Sequence, residues 1–146
     1  MNADQIQSIA IQVAFVVGAL VFVKYLPRLT AGVPFVEPQA VKKLMDEGKD
    51  VVVVDVRTAG EFTGSLGHIP GAINLTPGDL KERIGLVAEK LEAYKNEPVF
   101  VLCRTENRAP GGARVLKQAG FTNVAVVKGG MARWNREGFP VEGVGA

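Results

Sequence analysis

The chain has 146 residues, which is close to the roughly 150 residues of one domain. Its 17 Lys and Arg against 15 Asp and Glu give a net charge of +2, which is too balanced for a protein whose main partner is nucleic acid. With one cysteine and one histidine, the chain has neither an internal disulfide nor a zinc site made of Cys and His, so we expect no metal site.

The first predicted element is an apolar helix near the N-terminus. The first 23 residues hold one charged side chain, Asp4, and residues 6–26 are as long as the ~20 residues that cross a bilayer. Pro27 is predicted to end this helix, because proline lacks an N–H and clashes with the preceding turn. We therefore predict a transmembrane anchor over residues 1–28. One alternative is a cleaved signal peptide, which is disfavoured because no basic residue precedes the apolar run. The other is a buried helix of the soluble domain, which is disfavoured because the helix has no polar stripe.

The orientation of this anchor follows from its basic flank. Lys24, Arg28, Lys42 and Lys43 all lie C-terminal to the span. The positive-inside rule therefore predicts a single-pass protein of the inner (cytoplasmic) membrane whose C-terminal domain faces the cytoplasm. The reducing cytoplasm suits a single free thiol.

After a predicted linker over residues 29–36, helices and strands alternate through a domain at 37–146. Apolar spacing predicts helices over residues 38–47, 80–94, 109–119 and 131–136. Runs of apolar residues predict strands over residues 51–54, 72–75, 98–102 and 124–127. This alternation predicts an α/β domain with a parallel sheet covered on both faces.

Cys103 directly follows the predicted strand 98–102, and a loop then leads into a helix. In parallel sheets, ligands bind beyond the carboxyl ends of the strands. The positive end of a helix favours a thiolate over a thiol, and Arg104 and Arg108 add positive charge. We therefore predict that Cys103 is a catalytic nucleophile. The alternative is a buried structural cysteine, which the two arginines oppose.

Three segments of the chain resemble single-domain rhodaneses, the thiosulfate sulfurtransferase-like family. Residues 53–74 resemble the N-terminal signature of the family, 103–108 its six-residue active-site loop and 129–141 its C-terminal signature. The resemblance implies a rhodanese-like α/β fold, here preceded by one transmembrane helix. It also implies that Cys103 takes sulfane sulfur from a donor such as thiosulfate as a persulfide. A thiol or cyanide acceptor then removes the sulfur, with no cofactor; a protein partner is not indicated.

The resemblance assigns substrate binding to the loop residues Arg104, Thr105, Glu106, Asn107 and Arg108. Thr105 and Asn107 are expected to shape the loop through side-chain-to-backbone bonds and to touch substrate. Glu106 stands where a small residue, often Gly, is usual. Its carboxylate could turn outward, pair with an arginine, or select a less anionic donor.

Supporting roles are expected for Asp55, Arg57 and His68. Asp55 and Arg57 lie at the carboxyl end of a strand, and Arg57 is expected to pair with Glu61. His68 is flanked by turn residues and is expected to fix a turn through a side-chain hydrogen bond.

Two observations bear on the choice of function. The turn before residue 67 carries two more residues, 64–65, than the common family spacing.

Four residues separate Cys103 from Arg108, whereas related phosphatases have five, and the tighter loop favours sulfane sulfur over phosphate. The main hypothesis is a membrane-anchored sulfurtransferase. The second is a catalytically silent docking module at the membrane.

Overall fold

The computed structural model describes residues 2–145, and the chain divides into one unit up to Thr30 and a second from Ala31 on. The first unit is the helix α1 (Ala3–Thr30), and its large apolar side chains from Ile6 to Val23 are exposed. The helix is long and apolar enough to cross a membrane, and a signal sequence would share these properties. The predicted end at Pro27 is wrong, since a proline removes only one helical hydrogen bond and the helix continues to Thr30.

The second unit is an α/β domain, as predicted. Its parallel strands form a sheet in the order β1-β5-β4-β2-β3 within residues 2–145. The strands are β1 (Phe35–Val36), β2 (Val52–Asp55), β3 (Ile73–Asn74), β4 (Val99–Leu102) and β5 (Val124–Val127). The helices are α2 (Pro38–Asp46), α3 (Ala59–Phe62), α4 (Pro77–Lys90), α5 (Ala109–Gln118) and α6 (Gly130–Arg136).

Part of the predicted linker belongs to this domain. Ala31 and Val33 are buried in the core, and Phe35 pairs with Val126 across the parallel β1–β5 ladder. A two-residue strand is too short to show a periodic pattern, so the sequence gives no signal for it. The short helix α3 is likewise too short for a periodic pattern, so the sequence does not predict it.

The core occupies both faces of the sheet. Val54 and Val101 pack on the face covered by α4 and α5, whereas Val53 and Phe100 pack on the face covered by α2 and α6. This explains the continuous apolar runs in the sequence, because every side chain of these strands meets a helical layer. Cys103 belongs to the first of these clusters.

The register of β2 and β4 brings the candidate site together. Asp55, the last residue of β2, pairs in the ladder with Leu102, the last residue of β4. Val56 and Cys103 therefore follow at the same carboxyl edge, with Arg57 one residue further on, and ligands of parallel sheets bind at this edge.

Candidate active site

Cys103 lies at the floor of the loop between β4 and α5, with 1% of its surface exposed. Its carbonyl oxygen accepts a hydrogen bond of 2.9 Å from the N–H of Met131, and the Arg104 carbonyl accepts one of 2.9 Å from Ala132. The first turn of α6 therefore holds the start of the loop in place by backbone contacts alone.

Gly130 allows this close approach between α6 and the loop. Its φ of +52° lies in the left-handed region, and a Cβ there would collide with the carbonyl oxygens of Cys103 and Thr105. Only glycine fits both conditions. Gly130, which lies in the segment that resembles the C-terminal signature, is thus part of the site.

Several backbone N–H groups of the loop after Cys103 have no acceptor within residues 2–145. Within residues 2–145, the N–H groups of Arg104, Thr105 and Asn107 donate to no protein acceptor. The loop then continues into α5, whose first N–H groups carry the positive end of the helix dipole. Backbone donors and a helix N-terminus close to a cysteine in the chain favour its thiolate over its thiol.

Asp55 and Arg57 form a buried ion pair beside this loop. Asp55 is 0% and Arg57 1% exposed, and Arg57 Nη2 donates to Asp55 Oδ2 at 2.7 Å. The expectation that Arg57 pairs with the carboxylate of Glu61 is wrong. Arg57 reaches only the Glu61 backbone oxygen, at 3.0 Å, because the carboxylate two residues before it is already inside the same pocket.

The same guanidinium braces the turn that precedes His68. Arg57 Nη2 also donates to the Gly67 carbonyl at 2.6 Å. Asn74 Nδ2 donates to the carbonyls of Asp55 and Arg57 at 3.0 and 2.8 Å. These contacts join the strand end to the turn before His68, and the supporting role of Asp55 and Arg57 in function stays a prediction.

Glu61 instead pairs with Arg108, the last residue of the loop. The two side chains form a bidentate contact, with Nη1–Oε2 at 2.8 Å and Nη2–Oε1 at 2.7 Å. Hydrogen bonds from Arg108, and from the Thr58 backbone, lower the pKa of Glu61 to about 2. The Glu61 contact likewise raises the pKa of Arg108, and the negative charges of Cys103 and Asp55 add to this.

The sequence contained a signal for the position of Glu61. Thr58 and Glu61 form a capping box at the start of α3, with Thr58 N donating to Glu61 Oε2 at 3.1 Å and Glu61 N donating to Thr58 Oγ1 at 3.2 Å. A threonine followed three residues later by a glutamate is the pattern of this motif. The capped helix end fixes the carboxylate at the edge of the loop.

Arg104 and Arg108 differ in their partners. The exposed Arg104 guanidinium takes part in no ion pair among residues 2–145, whereas Arg108 is bound to Glu61. In the part of the chain that the structure describes, Arg104 is therefore the arginine of the loop that has no carboxylate partner.

The carboxylate of Glu106 reaches the turn before α6. Its Oε1 accepts a hydrogen bond of 2.8 Å from the N–H of Gly129, at the turn between β5 and α6. This contact ties the middle of the loop to the same turn that holds its start. A small residue at this position would lack the acceptor.

Thr105 and Asn107 do not shape the loop as expected. Both are exposed, and within residues 2–145 neither side chain makes a hydrogen bond. Backbone contacts from α6 and the Glu106 carboxylate already hold the loop, so these polar side chains face solvent.

His68 makes the side-chain hydrogen bond that the sequence predicts. Its Nδ1 lies 2.9 Å from the Phe62 carbonyl oxygen, and its ring stacks on Phe62 with centroids 3.6 Å apart. Its backbone N–H and carbonyl both pair with Glu142. These contacts close the turn over residues 62–68, whose Gly67 carbonyl meets Arg57.

That turn forms one wall of a cleft next to the loop. The cleft has a volume of about 340 Å³ and lies between residues 57–61, residues 64–66 and Arg104. The two additional residues of the turn are therefore part of the cleft wall. In the described part of the chain, no three His, Cys, Asp or Glu side chains gather in a way that could hold a metal ion.

Comparison with known proteins assigns this domain to a family. Residues 37–137 match the rhodanese-like domain family. The uncharacterized protein YibN of Escherichia coli K12 is 34% identical over 122 residues, which cover 83% of this chain and 80% of that protein. The family match over residues 37–137 contains Cys103 and the rest of its loop, together with Asp55, Arg57 and His68.

Two solved structures show the same fold. A thiosulfate sulfurtransferase from Pseudomonas aeruginosa has a TM-score of 0.66 and 26% identity, covering 80% of this chain and 21% of that chain. A protein of unknown function from Rhodopseudomonas palustris, described as a possible tyrosine phosphatase, has a TM-score of 0.69 and 26% identity, covering 80% and 90%. The rhodanese-like fold predicted from the sequence is confirmed.

Proposed function

The chain belongs to the rhodanese-like domain family, and on that premise we propose that it transfers sulfane sulfur through a persulfide on Cys103. One observation carries the proposal. Cys103 lies at the floor of a six-residue loop whose backbone donors and helix N-terminus all favour a negative sulfur.

In the first step, the Cys103 thiolate attacks the outer sulfur of a donor such as thiosulfate. The S–S bond of thiosulfate breaks, sulfite leaves with the electron pair, and Cys103 holds a persulfide. The N–H groups of Arg104, Thr105 and Asn107 stabilise the negative terminal sulfur, as an oxyanion hole stabilises an oxygen.

In the second step, an acceptor attacks the terminal sulfur of the persulfide. Cyanide leaves as thiocyanate, and a thiol leaves as a persulfide, in both cases with the electron pair returning to the Cys103 thiolate. This ping-pong route needs no metal or organic cofactor, because the cysteine itself carries the sulfur.

Loop length supports sulfur transfer over phosphate hydrolysis. The fold alone does not separate the two, since one structural neighbour is described as a possible tyrosine phosphatase. Here four residues lie between Cys103 and Arg108, one fewer than in related phosphatases. In addition, the guanidinium of Arg108 donates both of its hydrogen bonds to Glu61, so it is not available to bind a phosphate.

The burial of Cys103 favours one second candidate, a catalytically silent docking module. With 1% of its surface exposed, the cysteine resembles a structural core residue. Mass spectrometry after incubation with thiosulfate separates the two functions. We expect the full chain, in detergent, to gain one sulfur atom that cyanide removes as thiocyanate. The Cys103→Ser variant should gain none while keeping its fold. A wild-type protein that never gains sulfur would instead indicate the docking module.

We further propose that α1 anchors the domain in the inner membrane, with the domain in the cytoplasm. The exposed apolar surface of α1 and the basic residues that follow it support this arrangement. The full chain should stay in the membrane fraction after a high-salt or alkaline carbonate wash. Release into the supernatant, or an N-terminus shortened by signal cleavage, would contradict the anchor.

A further inference from the structure

A groove lies between α4 and α5, and none of the loop residues 103–108 lines it. Its volume is about 300 Å³, the space of roughly ten water molecules. Leu80 and Val115 line its apolar part, and a Cβ added to Gly111 would meet no atom within 4 Å. This α4–α5 groove is therefore open, with room for a polar group that rests on an apolar base.

The charged side chains that line the α4–α5 groove are basic. They are Lys81 and Arg114, both exposed, and within residues 2–145 neither makes an ion pair. The helix α5 has two basic residues and no acidic residue, whereas the three basic residues of α4 are balanced by three acidic ones. The groove therefore attracts an anionic group, most strongly on its α5 side.

The basic residues of α5 also hold the segment at which the domain begins. Arg114 Nη1 donates to the carbonyl oxygen of Ala31 at 3.1 Å, and Lys117 Nζ donates to that of Gly32 at 3.0 Å. Ala31 directly follows Thr30, the last residue of α1.

The length of chain between the apolar span and Ala31 limits how far Arg114 lies from a membrane. The predicted span ends at residue 26, and five further residues at the helical rise cover only about 8 Å. The polar headgroup layer on each side of a bilayer is itself about 5–8 Å thick. When α1 spans the membrane, Arg114 is therefore within reach of the lipid headgroups.

From these observations we propose that the α4–α5 groove binds the headgroup of an anionic phospholipid. The proposal rests on the membrane anchor proposed above and goes beyond the sulfurtransferase function. The lipid phosphate meets the guanidinium of Arg114 and the ammonium of Lys81, and the glycerol backbone packs on the apolar part of the groove. An acidic protein segment would meet the same charges, but the short connection to α1 favours a lipid, because the attraction of a charged leaflet falls off within about 8 Å.

The experiment measures the lipid selectivity of the full chain by native mass spectrometry. The protein is placed in mixed micelles that contain equal mole fractions of phosphatidylglycerol, which is anionic, and phosphatidylcholine, which is zwitterionic. The readout is the ratio of chains with one bound phosphatidylglycerol to chains with one bound phosphatidylcholine, because non-specific carry-over affects both lipids alike. We expect a ratio well above one in the wild type, falling as salt is added.

Two variants test the charge of the groove. Lys81→Gln and Arg114→Gln should each lower the ratio about fivefold, the effect of one basic residue beside an anionic lipid surface. Arg114→Lys keeps the charge and should retain most of the selectivity. The matched control is Arg136→Gln, because Arg136 is exposed, makes no ion pair within residues 2–145 and belongs to α6 on the opposite face of the sheet. This control should leave the ratio unchanged.

A further variant fills the groove without changing its charge. Gly111→Leu fits the backbone of α5, and its side chain takes the place of the lipid, so the ratio should fall toward one. The control is Gly85→Leu. Gly85 is an exposed residue of α4 at which a Cβ also meets no atom within 4 Å, but it does not line the groove.

A wild-type ratio of one would overturn the proposal, and so would a ratio that none of the three groove variants lowers. Binding of polyglutamate without any preference between the two lipids would assign the groove to an acidic protein segment instead. The carbonate wash tests the anchor separately. Release of the protein there would remove the premise of the proposal, whereas retention without lipid selectivity would contradict the groove alone.

Discussion

Two arginine–carboxylate pairs flank the loop of Cys103, and they differ in how much water reaches them. Asp55 and Arg57 are 0% and 1% exposed, whereas the side chains of Glu61 and Arg108 are 27% and 40% exposed. The first pair lies two residues apart at the end of one strand. The second joins a helix start to a loop 47 residues further along the chain.

The same chemistry therefore has two different consequences. Removing one partner of a buried pair leaves an uncompensated charge in the interior and costs about 3–5 kcal/mol. An exposed pair contributes about 0–1 kcal/mol, because water and salt screen it. The buried pair supports the architecture of the site, whereas the exposed pair mainly determines which partner Arg108 has.

The largest expected effect tests the buried pair. Arg57→Met should lower the free energy of unfolding by about 3–5 kcal/mol, because it leaves Asp55 buried without its partner and removes the bond to the Gly67 carbonyl. The matched variant Arg108→Met should lower it by about 1 kcal/mol or less. Urea unfolding of the full chain in detergent, followed by tryptophan fluorescence, measures both. Equal losses in the two variants would contradict the comparison.

The backbone of Gly130 lies close to the carbonyl groups of the loop, and Gly130→Ala tests whether this close approach positions the loop. The added Cβ collides with the carbonyl oxygens of Cys103 and Thr105 and displaces the loop. We expect sulfur loading from thiosulfate to slow at least about tenfold, since small displacements of a nucleophile have large effects on rate.

Gly138→Ala is the control for backbone strain in this test. Gly138 also has a positive φ, +72°, but a Cβ there meets no atom within 4 Å. This variant should lose about 1 kcal/mol of stability and keep its loading rate. Comparable loading rates in the two variants would show that the contact with Gly130 does not position the loop.

The pH dependence of the free energy of unfolding tests the exposed pair of Glu61 and Arg108. The pKa of Glu61 is lowered from 4.5 to about 2 in the folded protein, so the pair stabilises the fold above about pH 4.5. This contribution is lost as the pH falls toward 2. The stability difference between wild type and Glu61→Gln should be about 1 kcal/mol at pH 7 and should shrink between pH 5 and 2. Arg108→Met should give the same profile in unfolding experiments. A difference that does not vary with pH would contradict the ion pair.

The smallest effect is expected at Glu106, whose carboxylate meets a backbone N–H. Glu106→Gln keeps an oxygen acceptor for Gly129, whereas Glu106→Ala removes it. The alanine variant should lose less than about 1 kcal/mol and show faster hydrogen exchange at the Gly129 amide, and the glutamine variant should resemble the wild type. Faster exchange in both variants would mean that the negative charge, and not the acceptor, is required.

Sequence patterns predict the fold and the position of the site in it, but not which side chains of the site contact one another. The sequence predicts three strands to within about a residue or two, over residues 51–54, 98–102 and 124–127. Each is a continuous apolar run, which identifies a strand buried on both faces even when its neighbours in the sheet are unknown. The two-residue β1 and the single-turn α3 left no such pattern. The role of Cys103 stays a prediction that the loading experiment tests.

The amino-acid sequence by itself determined the α/β class, the order of its elements and the position of Cys103 at a strand end, because these depend on local periodicity. Only the tertiary structure decided which charges meet. Arg57 binds the nearby Asp55, Arg108 binds Glu61 from another element, and Glu106 binds a backbone N–H across the loop. The last two of these contacts depend on distances between elements remote in the chain, which no local pattern encodes. Within residues 2–145 they leave Arg104 without a carboxylate partner.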